Sequence, residues 1–228
     1  MNIHTIYSES HEGLYEKFKD SLDGRWFSLR ARQSSQVCKS GEYGSKDAIN
    51  FWKEKTKYIL EILDRESRPF LYSDVDVHIV KDFTKDLKLG QKDIVFQLDK
   101  YLWGIRPTIC AGFMYMKSND SVKQMFEWVL KNLEKYGDDQ KAINRYLIWR
   151  KIKWGVLPKT YYSIGFDNGG KIWNGEEVKI KNRDYYIIHL NYTTGIKNKL
   201  KLLNYFQLHK DDRSDYSADM NHDFHMKW

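Results

Sequence analysis

The stretch FLYSDVDVHIV, residues 70–80, decides how the chain is read. It begins and ends like a buried β-strand, yet it carries two carboxylates, Asp74 and Asp76, one residue apart. Side chains alternate along a strand, so Asp74 and Asp76 share a face with Tyr72. Two like charges at that spacing repel unless a cation lies between them or the strand has already emerged into solvent. For an all-oxygen pair the usual cation is a phosphate-bound Mg²⁺ or Mn²⁺. The preceding FLYS is core-like and offers no other reason for charge. His78 shares the parity of the two aspartates and is a further candidate ligand, with a surface histidine as the plainer reading.

Outward from this stretch, strand-like and helix-like apolar patterns alternate. NIHTIY reads as a first strand, HEGLYEKFKDSL as a helix and RWFSLRAR as a second strand. A glycine-bearing loop, KSGEYGSKD, leads into a long helix from about Asp47 to Arg65. Its apolar stripe is Ile49, Trp52, Ile59, Leu60 and Leu63, with Lys53, Lys55 and Lys57 between them. DIVFQL and TICAGFMYMK read as strands, and SVKQMFEWVLKNLEKYG as a helix with a glycine stop. DDQKAINRYLIWRK follows as a helix opened by carboxylates, where the helix dipole favours them. YSIGFDNGGKIWNG has hairpin chemistry at Asn168, Gly169 and Gly170, DYYIIHLNY is a last strand, and IKNKLKLLNYFQLHK a last helix. The alternation predicts an α/β sheet covered on both faces. Ligands in such sheets gather at the carboxyl ends of strands, where Asp74 and Asp76 follow the core run PFLYS.

The 228 residues fit one domain spanning 1–228, with a loose tail expected from about residue 211. Cys38 and Cys110 have no metal-type spacing and read as reduced thiols. No basic, apolar leader opens the chain and no apolar run approaches membrane-spanning length, so a cytoplasmic location is expected. A net charge of +7 suits an anionic partner: nucleic acid, an acidic membrane surface or a phosphorylated small molecule.

Two further constellations carry chemistry. In HLNYTTGIKNK, His189 ends an apolar strand and is followed by Gly195 and then Lys197 and Lys199 at a helix start. Backbone N–H groups there, with lysine as a point charge, make a phosphate cradle. The bland alternative is a half-buried histidine before an ordinary basic helix face. In GDDQ, helix capping explains one carboxylate, while the three side chains Asp138, Asp139 and Gln140 together suit a polyhydroxylated ligand, or one of the carboxylates a general base. His222 and His225, three residues apart near the terminus, read as tail rather than metal site.

Taken in order, these motifs resemble a known family. The chain is similar to glycosyltransferases of the GT-A fold, in the broad group of nucleotide-diphospho-sugar transferases related to glycogenin-type and plant cell-wall enzymes. YSDVDV resembles the group's Asp-x-Asp metal motif and AGFMYMKSN its Ala-Gly-Phe strand. DDQ resembles its Asp-Gln element, and HLNYTTGIKNKLKLL its closing His-Asn-aromatic-Gly-Lys segment. The resemblance implies a single Rossmann-like domain with a mixed central sheet flanked by helices. It implies Asp76, Asp74 and His189 as ligands of Mn²⁺ or Mg²⁺, with Asp74 also at the ribose. Gly195 and Lys199 would meet the diphosphate, Tyr7 the base, and Lys55 the vicinity of the nucleotide. Ala111 and Gly112 would line the sugar pocket, with Asp139 and Gln140 facing donor sugar or acceptor. Relatives often carry Asn where this chain has Cys110. Lacking the anchor of Golgi members, the chain resembles bacterial or viral types acting in cytoplasm, including host cytoplasm.

The implied reaction moves a sugar from a nucleotide donor, UDP-sugar first among them, to a glycan or other hydroxyl acceptor. Loosening the C1–O bond passes through an oxocarbenium-like state, and the two carboxylates, the histidine and the lysine-rich helix start supply charge to hold the departing diphosphate. Two rival readings stay open at this point. The basic balance and many aromatics suit a nucleic-acid-binding protein, although the lysines are interspersed with acids. Paired aspartates also suit a two-metal nuclease or nucleotidyltransferase, which needs a further carboxylate nearby, with Asp139 the candidate.

Overall fold

The structure, a computed structural model, describes residues 1–35, 46–103, 105–163, 178–181, 185–208 and 223–226. The expected hairpin at residues 168–170, Cys38 and most of the KSGEYGSKD loop lie outside them. Strands β1 (Asn2–Ser8), β2 (Ser28–Ser34) and β3 (Phe70–Ser73) pair in parallel. β5 (Ile94–Leu102) and β6 (Arg106–Met116) form an antiparallel ribbon joined to β3 through β6, and β7 (Trp154–Val156) runs parallel to β5. The central sheet is thus mixed and six-stranded, in the order β2-β1-β3-β6-β5-β7.

Both faces are covered, which is why the inner strands read as unbroken apolar runs. Phe70 and Tyr72 of β3, Phe96 of β5 and Met114 of β6 point to one side. There they meet α2 (Lys46–Arg65), α3 (Asp120–Tyr136) and α4 (Asp139–Trp149). Leu71, Val95 and Phe113, one step out of phase on the same strands, pack on the other side. That side is closed by Leu14 and Phe18 of α1 (Glu12–Asp20) and Leu202 and Leu203 of α5 (Ile196–Leu208). Asn119 caps α3 by accepting from the Val122 N–H at 3.0 Å, and Gly137 ends it at φ 81°, a left-handed conformation that a Cβ would strain.

The run from Phe70 to Val80 is not one strand. β3 stops at Ser73, the Asp74 N–H still donates to Gly112 O at 2.7 Å, and the chain then leaves the central sheet. It resumes as β4 (Val77–Ile79), which with β10 (Ile187–His189) and β8 (Tyr161–Ser163) makes a second, three-stranded sheet. Asp74 and Asp76 therefore occupy the joint between two sheets rather than one pleated face. His78 is buried in β4 opposite Ile188. Within the stretch read as a loose tail, β11 (Asp223–Met226) pairs antiparallel with β9 (Val178–Lys181). No helix among the described residues is long and apolar enough to cross a membrane.

Candidate active site

The joint after β3 and the end of β10 meet at one cleft. β10 pairs with β4 so that His189 lies opposite Val77, which brings the imidazole beside the carboxylates of Asp74 and Asp76. One ligand atom from each of Asp74, Asp76 and His189 falls within 4.8 Å of the others. This approach requires a glycine beneath it. A Cβ on Gly112 would stand 2.3 Å from His189 Cε1, 2.8 Å from Nε2 and 3.0 Å from Asp74 Oδ2.

The histidine is oriented from behind. Gln97, buried in β5, donates from Nε2 to the carbonyls of Tyr161 at 3.1 Å and Tyr162 at 2.9 Å. Carbonyl oxygens only accept, so the amide is fixed with Oε1 toward His189 Nδ1, 2.5 Å away, and Nδ1 must carry the proton. The Nε2 edge then faces Asp76 Oδ1 at 3.2 Å. Burial opposes a charged ring, but the Cys110 sulfur and the Asp76 carboxylate outweigh it and lift the His189 pKa to about 10. A ring with acceptors at both nitrogens holds either a second proton or a cation at Nε2. Burial likewise opposes charge on Asp76, yet Lys199 and His189 hold its carboxyl well below the ordinary range. The Lys199 Nζ lies 2.6 Å from Asp76 Oδ2.

Lys55 has a different place from the one its sequence suggests. It lies on the buried side of α2 in phase with Ile59 and Ile62, 3% exposed, rather than between apolar positions. Its ammonium sits 2.9 Å from Asp74 Oδ1, 3.0 Å from Asp139 Oδ2 and 3.1 Å from Ala111 O. Burial would strip its proton, but Asp139 and Asp74 reverse this and raise its pKa. Burial raises the Asp139 pKa against the pull of Lys55. Asp138 caps α4 by accepting from the Lys141 N–H at 2.6 Å, which sets Asp139 and Gln140 in the first turn. Asp139 Oδ1 accepts from the Gln140 N–H at 2.8 Å, and Gln140 Oε1 accepts from the Ala111 N–H at 3.3 Å.

Tyr7, Lys55, Asp74, Asp76, Ala111, Gly112, Asp139, Gln140, His189 and Lys199 thus line one cleft of about 470 Å³. Its volume falls in the range of ligand sites. Gly195 is not in the lining. It sits at φ 80°, ahead of α5, and its carbonyl accepts from the Lys199 N–H at 3.2 Å, so it shapes the turn that aims Lys199. Tyr7 reaches the cleft with its ring stacked on Tyr15 at 4.2 Å. Sequence reading missed His11, Phe51 and Tyr192 in the lining, and Gln97 behind it. Only Gln97 left a signal: one amide inside the apolar run DIVFQL needs partners.

A family model for nucleotide-diphospho-sugar transferases matches residues 16–203. The chain belongs to that family. No curated protein matches it significantly. Among solved structures, this nucleotide-diphospho-sugar transferase is similar to a glycosyltransferase involved in glycosylation of the major capsid of PBCV-1, with TM-score 0.62 and 11% identity over 90% of this chain and 100% of that one. It is also similar to the galactosyltransferase LgtC solved with donor and acceptor sugar analogs, with TM-score 0.55 and 10% identity over 90% and 96% of the two chains. A third, the Streptococcus pneumoniae glycosyltransferase GlyE, gives TM-score 0.51 and 13% identity over 74% of this chain and 48% of that one. The transferase therefore has the GT-A fold and is a glycosyltransferase, which favours the glycosyl-transfer reading over both rivals. Lys55 adds its own argument against a two-metal site, since its ammonium already occupies the space between Asp74 and Asp139.

Proposed function

We propose that this transferase moves a sugar from a UDP-sugar to a hydroxyl of a glycan or small acceptor, with Mn²⁺ or Mg²⁺ held by Asp74, Asp76 and His189. The observation carrying this reading is the convergence of three ligand atoms within 4.8 Å over the missing side chain of Gly112. Two carboxylates and one imidazole nitrogen suit these cations, which favour oxygen and keep positions for phosphate. A cation bound there would neutralise charge gathering on the diphosphate oxygens as the C1–O bond loosens. Lys199, at 22% side-chain exposure, adds a point charge on the same side. Asp139 and Gln140 serve the sugar side, with Ala111 and Gly112 as its floor. The apolar wall of Ile6, Tyr7, Ala48 and Phe51 receives the base.

Thermal stabilisation by a panel of nucleotide sugars, with and without Mn²⁺, tests the donor. The expected result is a cation-dependent shift for UDP-sugars that Asp76→Ala abolishes while the fold persists. Unchanged nucleotide binding by that variant in calorimetry would remove the metal assignment. Transfer of label to water alone would remove the acceptor assignment.

A further inference from the structure

Six of the seven large apolar side chains exposed among the described residues lie at one end of the molecule: Tyr101, Leu102, Trp103, Ile105, Ile148 and Trp149. Trp103 is 85%, Ile105 81% and Trp149 68% exposed. Topology makes this end protrude. β3 pairs only with residues 113–116 of β6, and β7 only with residues 94–96 of β5, so the rest of the ribbon extends past its sheet neighbours. α4 runs along it in the opposite direction to β6. Gln140 is bonded to Ala111 and Asn144 to Ile109, which carries Ile148 and Trp149 toward the ribbon's tip.

The exposed charges on the two segments that carry these side chains have one sign, Asp99 just before the first being buried. Lys100, Arg106, Arg145, Arg150 and Lys151 are all exposed. Neither Lys100–Ile109 nor Gln140–Lys153 contains an aspartate or glutamate. The Arg145 guanidinium lies 5.0 Å from the centre of the Trp149 ring.

We propose that this end docks on an anionic lipid bilayer. Indole and phenol rings favour the headgroup level, aliphatic side chains enter the acyl boundary, and flanking lysine and arginine reach anionic headgroups. The surface is a projecting tip rather than a groove, so it suits a deformable interface better than a folded partner. Leu102, Ile105 and Ile148 offer no stacking face, which separates the patch from a single-strand nucleic-acid platform. The proposal stands apart from the donor and cation reading, because none of these residues belongs to the cleft.

The test is co-sedimentation of the full chain with extruded vesicles of phosphatidylcholine alone and of phosphatidylcholine with phosphatidylglycerol. Binding is expected to the mixed vesicles, weakening with salt, with indole fluorescence shifted to the blue. Trp103→Ser with Ile105→Ser and Trp149→Ser should remove it. Arg106→Ser with Arg150→Ser should weaken it by about tenfold or more. All these sites are exposed, so the variants should keep the wild-type melting temperature. No binding to either vesicle, or equal binding by wild type and variants, overturns the proposal. So does an oligonucleotide complex or a self-association that the same substitutions abolish while vesicles are ignored.

Discussion

Gln97 Oε1 lies 2.5 Å from Nδ1 of His189, and the same amide's nitrogen is held by two backbone carbonyls. Gln97 is thus a positioning residue that keeps the Nε2 lone pair on the cleft side. Gln97→Met removes both functions, whereas Gln97→Glu keeps the acceptor and loses the donor. Calorimetry should find Mn²⁺ affinity about 10–100-fold lower in Gln97→Met. In Gln97→Glu it should be largely kept, although that variant melts lower. Equal loss in both would mean the amide acts through the Tyr161 and Tyr162 carbonyls instead.

Gly112→Ala should dislodge His189, because the new Cβ would sit 2.3 Å from Cε1. Mn²⁺-dependent stabilisation should vanish while circular dichroism stays native. Gly13→Ala is the control: its Cβ meets only Leu200, at 3.6 Å, and in α1 it should stabilise by about 0.5–1 kcal/mol. A metal response surviving in Gly112→Ala would show that His189 is not needed for it.

Lys55→Met should lower stability by about 3–5 kcal/mol, since it leaves buried Asp139 and half-buried Asp74 without their shared cation. Chemical denaturation measures this. A residue that only touches the nucleotide would instead weaken donor binding at unchanged stability.

His4 gives a pH dependence remote from the cleft. Burial lowers its pKa below 6.5, against the opposing pull of the Glu66 carboxylate, which accepts from the ring Nε2–H at 2.9 Å. The unfolded chain therefore takes up this proton first, so stability present above about pH 6.5 is lost as pH falls toward the lowered value. Melting temperature followed from pH 7.5 to 5.5 should fall less steeply in His4→Asn than in the wild type. Identical slopes would place the effect elsewhere.

What the sequence disclosed follows its periods. Phe70, Tyr72 and Leu71 were legible as strand because alternation is local, and both helix layers followed from it. Asp74 and Asp76 stood out because charge follows a core run without local cause. The end of β3 was legible from the core run PFLYS, but the place of β4 in a second sheet was not, since β4 finds its partner in β10, more than a hundred residues away. Lys55 was read off the apolar stripe together with Lys53 and Lys57, because Asp74 and Asp139, the counter-charges that let it be buried, come later in the chain. The site of Gln97 depends on the β5–β6 register, which shifts beside it, between Phe96 and Gln97.

α4 begins at the cap that sets Asp139 and Gln140 and ends at Trp149, so one continuous element spans the distance from cleft to tip. Its 11 residues make a strut of about 16 Å. A helix transmits rotation as well as length, and each added residue turns everything beyond it by about 100°. The phase of Trp149 relative to Gln140 is therefore fixed by residue count alone. An insertion anywhere within α4 would swing the exposed indole around the helix axis while the carboxylates at the other end kept their bearings.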